Sequence, residues 1–143
     1  MISKERIVEA ATNVKQYTDE GLLRVKDDNA PKFVGFFMRN AEASLQTASI
    51  LQAVSDEDSL KTVLKVSRDF ESYLWVIVSS YYSMFYAATA LLASQNIKAT
   101  GQIVHKVTGE ALIHFFVSNQ KLAKLLEQYE EAKAVGLELI GRE

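Results

Sequence analysis

The 21 positions from 73 to 93 carry no charged side chain. A run of that length is long enough to cross a bilayer as a helix. Tyr73, Ile77, Tyr81, Met84, Ala88 and Leu91 recur at three- and four-residue steps and mark one helical face. Trp75, Val78, Tyr82, Phe85 and Leu92 carry apolar character around the remaining faces. A helix apolar nearly all round is covered on most of its sides. Ser79, Ser83, Ala87 and Ala90 form a row of small side chains along which a neighbouring helix can approach closely. Eight of the 21 residues bear hydroxyls: Tyr73, Ser79, Ser80, Tyr81, Tyr82, Ser83, Tyr86 and Thr89. Hydrocarbon satisfies such groups poorly, whereas a protein interior supplies partners. No Lys or Arg cluster flanks the run to set a membrane orientation. The expectation is the central helix of a soluble protein, with no membrane association.

The rest of the chain is expected to be helical too. Six glycines and one proline are few for a β protein, which needs both at its turns. A first helix is predicted over 4 to 26, capped by Ser3, striped by Ile7, Ala10, Val14 and Tyr17, with Gly21 as a point where it could end or bend. Pro31 suits the first position of a second helix, 31 to 54, with Phe33, Phe37, Ala41, Leu45, Ala48 and Leu51 on one face. A short helix over 59 to 66 follows, then the long helix over 69 to 95, one over 102 to 117, and a last one over 119 to 139. No β-strand is expected. The fold class is all-α, an up-and-down bundle of four to five main helices. The 143 residues fit one domain, 1–143, with 48% hydrophobic residues to fill a core. No repeat, low-complexity tract or linker interrupts it.

Composition narrows the chemistry. Cysteine is absent, so disulfides and thiolate metal sites are excluded. Sixteen basic residues against 18 acidic ones give a net charge of −2, which by itself calls for no nucleic acid. The N-terminus, Met1-Ile2-Ser3-Lys4-Glu5-Arg6-Ile7, does not read as a signal peptide, and a cytoplasmic protein is expected. His105 and His114 lie nine residues apart on one predicted helix. At about 100° per residue they face opposite ways and cannot share a metal. His105 stands beside Lys106 and after Lys98, a setting that could face an anion or phosphate. His114 reads as a surface or seam residue. Asp56-Glu57-Asp58 matches no calcium loop and reads as helix-start carboxylates. Glu127, Glu130 and Glu131 read as a solvated face. No metal site and no cofactor are expected, since phosphate loops, nucleophile elbows and zinc motifs are missing. Trp75, Tyr81, Tyr82, Phe85 and Tyr86 read as core or subunit interface.

Ser79-Ser80-Tyr81-Tyr82-Ser83-Met84-Phe85-Tyr86-Ala87-Ala88, followed by Ala90-Leu91-Leu92, resembles the signature helix of HEPN domains. The connection from Ile97 to His105-Lys106 and the pair Phe115-Phe116 resemble the next element of that family. The resemblance covers residues 40 to 130. It implies a four- or five-helix bundle, usually a homodimer, found beside minimal nucleotidyltransferases in toxin–antitoxin pairs. Many members are ribonucleases with a composite site across the dimer. Their motif is an arginine, four to six residues, then a histidine. None of Arg6, Arg24, Arg39, Arg68 and Arg142 precedes a histidine at that distance, and the nearest match is Lys98, six residues, then His105. Lysine lacks the planar fork of arginine. Where some family toxins carry a tyrosine that the partner adenylylates, Val107 stands. The resemblance therefore implies a dimer that binds a nucleotidyltransferase, a nucleotide or RNA, with Lys98, His105 and Lys106 as contacts and no catalysis. Its alternatives are a metal-independent ribonuclease toxin using Lys98 and His105 across the dimer, and a structural dimerisation module.

Overall fold

Ser3 opens the first helix, its hydroxyl accepting from the Arg6 amide at 3.1 Å. In a computed structural model, which describes residues 1–140, that helix is α1 (Lys4–Asp19). Arg142 lies outside the described residues. Gly21 then takes φ +74°, a left-handed conformation that ends the helix at low cost. The helix predicted to 26 is therefore shorter. Leu23–Arg24 (β1) instead pairs antiparallel with Lys98–Ala99 (β2), Leu23 opposite Ala99 and Arg24 opposite Lys98. This two-residue ladder corrects the expectation of no strand. Leu23 is buried in the core, so its backbone groups must find partners away from water, and the ladder supplies them. The Thr100 amide continues it by donating to the Leu22 carbonyl at 2.8 Å.

Pro31 stands in the first turn of a short 3-10 helix, Ala30–Phe33, which runs into α2 (Val34–Asp56). Then follow α3 (Asp58–Leu64), α4 (Tyr73–Ser94), α5 (Val104–Phe116) and α6 (Gln120–Ile140). The protein is an all-α helical bundle, and each predicted long helix is present with ends moved by a few residues. α2 and α4 form an antiparallel pair. The Ser83 hydroxyl donates to the Ala41 carbonyl at 2.8 Å, and the Ser72 amide donates to the Ser55 hydroxyl at 2.9 Å. Ala41, Ala48 and Ala90 are buried, while Ala87 of the expected small-residue row is exposed, so Ser83 is the member of that row bonded to α2.

The main core gathers Val14 and Tyr17 of α1, Leu23, Ala88 and Leu92 of α4, Val107, Ala111 and Leu112 of α5, and Leu126 and Tyr129 of α6. It lies against the C-terminal half of α4. The buried residues of α4 are Tyr81, Phe85, Ala88, Ala90, Leu92 and Ala93, all from Tyr81 onward. Gly136 of α6 admits the Tyr81 ring; a Cβ there would meet that ring at 2.8 Å. Among the described residues, α4 is the one helix long and apolar enough to cross a membrane. It packs against α2, α5 and α6.

A part-buried ionic cluster around the buried Glu110 ties α1 to α5 and α6. The Arg6 guanidinium donates to both Glu110 oxygens at 2.7 and 2.9 Å and to Glu130 at 3.1 Å. Lys133 closes the set with a 2.8 Å bond to Glu130. Glu130 is thus no part of a solvated face: facing Arg6 and Lys133 compensates its partial burial. The Glu110 hydrogen bond raises the Arg6 pKa above the ordinary arginine range, against the opposing cost of burial. Removing one partner of a buried pair leaves the other charge uncompensated. Arg6→Met is therefore expected to cost about 3–5 kcal/mol, read as a fall in the urea unfolding midpoint. The double variant Arg6→Met, Glu110→Met should recover much of it. A single variant as stable as the parent would contradict the cluster's role.

Candidate functional site

His105 is the second residue of α5, in its first turn, and half-buried. Three rings of α4 surround its imidazole. Phe85 lies 4.1 Å away between centroids, Tyr81 stacks at 5.5 Å, and Tyr82 meets it edge-on at 5.6 Å. Tyr82 and Tyr81 stand three and four positions before Phe85, which brings each of them beside it on α4. The Tyr81 hydroxyl and His105 Nδ1 share a hydrogen bond of 2.7 Å, its direction set by the imidazole tautomer. The histidine that could face an anion or phosphate is a half-buried helix-start residue with aromatic rings on its α4 side.

Tyr81 is the hub of these contacts. It is 2% exposed, touches α5 through His105, and packs on α6 at Gly136. Tyr129 of α6 lies nearby. Its hydroxyl is buried without a well-formed hydrogen bond. Burial first, then the adjacent Tyr81 and Glu130, push its pKa well above the ordinary tyrosine range. Tyr129 thus stays a neutral phenol at physiological pH.

The other site candidates separate. Lys98 sits in β2 with its ammonium 6.0 Å from the Phe33 ring centroid, in a cleft with Ala30, Phe37 and Ala93. The settings of Lys98 and His105 are built from different residues. Lys106 is exposed beside His105. His114 is exposed, as its position suggested, with Phe115 edge-on at 4.7 Å. Phe85 joins Tyr81 in the interior, and Tyr82 and Tyr86 are half-buried. Trp75 is 59% exposed and is no core residue. Tyr73, Leu74 and Ile77 are exposed with it, at 43%, 49% and 43%.

Two clefts flank that apolar stretch. One, of about 260 Å³, lies between Ser44 and Thr47 of α2 and Trp75, Ser79, Tyr82 and Tyr86 of α4. The other, of about 350 Å³, is walled by Leu74, Trp75, Val78, Tyr82 and Leu139. Sequence reasoning missed the Arg6–Glu110–Glu130 cluster, whose members stand too far apart in the chain for any spacing to signal. It also placed Phe33 with Phe37 on one face of a helix, whereas Phe33 ends the short 3-10 helix and is 47% exposed. The adjacent Phe36 was the available hint, since neighbouring helix positions point to different faces.

The Tyr81–His105 bond is expected to be worth about 1 kcal/mol. Tyr81→Phe should lower stability by that amount and leave helix content unchanged. The imidazole nitrogen chemical shifts of His105 should move, because the phenol biases the tautomer. Unchanged histidine shifts would refute the contact. No protein-family model matches this chain, and no curated protein or solved structure matches it either.

Proposed function

We propose that this chain is a cytoplasmic binding module that works as a HEPN-like twofold homodimer through the N-terminal half of α4. A nucleotidyltransferase, a nucleotide or RNA is its further partner, as the resemblance of the α4 sequence implies, and it does not catalyse. The observation that carries the proposal is the exposure of Tyr73, Leu74, Trp75 and Ile77 on a helix with no charge from 73 to 93. Large apolar side chains left exposed close together on one helix cost free energy in water and are candidates for interaction sites. Tryptophan and tyrosine anchors are enriched where binding energy concentrates. A second copy suits the face because an uncharged helix meets its own twofold image without like-charge repulsion.

Inactivity is supported by the setting of the two candidate residues. A ribonuclease of this kind must stabilise the developing phosphate charge while another group moves protons. Lys98 offers a mobile point charge on a flexible stem. His105 is bonded at Nδ1 to Tyr81 among three aromatic rings.

Sedimentation velocity at micromolar concentration tests the dimer. The parent chain is expected to sediment as a dimer and Trp75→Glu as a folded monomer, because a buried unpaired carboxylate is costly. A monomeric parent, or a variant that dimerises equally well, would refute the α4 interface. Incubation with labelled RNA tests inactivity, and no turnover is expected. Robust cleavage abolished by both Lys98→Ala and His105→Ala would replace the proposal with the ribonuclease alternative.

A further inference from the structure

Phe33, Phe36 and Phe37 wall a cleft of about 290 Å³ where the start of α2 meets the end of α4, with Ala93, Ile97 and Lys98 opposite. The aromatic wall is preformed. Phe36 meets Phe37 edge-on at 5.5 Å between centroids, and Phe33 lies 6.5 Å from Phe37. Yet Phe33 and Phe36 remain 47% and 51% exposed. Keeping two phenyl rings in water forgoes the stabilisation that burying them would bring. The cleft interior offers almost no polar chemistry. Thr89 lines it, but its hydroxyl already donates to the Phe85 carbonyl at 2.8 Å. A nucleobase, with donors and acceptors along its edges, would find few side-chain partners there beyond the Thr89 hydroxyl oxygen and the Lys98 ammonium at the edge.

The edge of the cleft is different. Lys98 holds its ammonium 6.0 Å from the Phe33 centroid. Among the described residues, no carboxylate lies within ion-pair distance of it. The residue directly opposite Lys98 in the two-strand ladder is Arg24, which has Asp27 at 3.7 Å. Like charges facing each other across a ladder repel. A second anion at Lys98 would relieve that repulsion and give the ammonium a counter-charge.

We propose that this cleft binds an amphipathic carboxylate, an alkyl or aryl acid with its apolar body on the phenylalanines and its carboxylate at Lys98. The combination of apolar walls and one placed charge is the ordinary makeup of a small-ligand site. The cleft is independent of the exposed α4 surface and of His105, so it stands or falls apart from the dimer.

Isothermal titration with decanoate, below its self-association concentration, tests the proposal. Decyltrimethylammonium serves as the probe with the same tail and opposite charge, and adenosine monophosphate as the probe with a base and phosphate. Saturable decanoate binding is expected, about tenfold weaker in Lys98→Glu because a charge-assisted contact becomes repulsive. Phe36→Ala should weaken it as well. If Phe36→Ala loses its helical circular dichroism, the surface variant Lys98→Glu carries the test alone. The cationic probe should not bind. Equal binding of both decyl probes, decanoate binding indifferent to Lys98→Glu, or no saturable decanoate binding would each overturn the proposal. So would binding of adenosine monophosphate alone, which would assign the cleft to a nucleotide.

Discussion

An uncharged helix of 22 residues needs covering on most of its sides, and the architecture follows from how far this bundle meets that need on α4. The C-terminal half, with Tyr81 just before it, is enclosed. Ala88 and Leu92 lie in the core beside residues of α1, α5 and α6, and Tyr81 and Phe85 meet α5 at His105. The N-terminal half has α2 along one side, approached closely through Ser83 and Ala41, and leaves Trp75 and its neighbours in water. The hydrophobic effect acts on both halves alike. One half satisfies it within the chain, and the other is left with apolar surface that association would remove from water.

Polar contacts fix how the enclosing helices sit. Arg6 reaches from the start of α1 to Glu110 on α5 and Glu130 on α6, so one guanidinium sets three helices at once. Tyr81 does the equivalent from α4, through its hydroxyl on α5 and its ring against Gly136 on α6. Part-buried pairs of this kind add less stability than their short distances suggest, because desolvation offsets much of the attraction. The apolar packing is permissive by comparison, since α4 presents apolar groups in nearly every direction. The named polar contacts select one arrangement from it.

Much of the fold was legible in the sequence, and the reason is periodicity. α4 announced itself through an uncharged run, α2 through its three- and four-residue spacing, and α1 through the Ser3 cap. The end of α1 was overrun because Gly21 alone does not show that the following residues pair with Lys98–Ala99, some 75 positions away. The candidate site was less legible. Lys98 and His105 were joined by their spacing along the chain, while the fold seats them among different neighbours. What decided this was side-chain direction: His105 turns toward the aromatic rows of α4, and Lys98 lies along a strand toward Phe33. Neither direction is written in a local pattern.

The central claim is that the N-terminal half of α4 is covered only when two copies meet. The single tryptophan of the chain, Trp75, stands on that surface and reports on it without any label. Its fluorescence, followed with acrylamide quenching as the protein is diluted from micromolar to nanomolar concentration, tests the claim most directly. The expected result is blue-shifted, poorly quenched emission at high concentration that turns red and readily quenched on dilution, while helical circular dichroism stays constant. Emission that is red and fully quenchable at every concentration would contradict it.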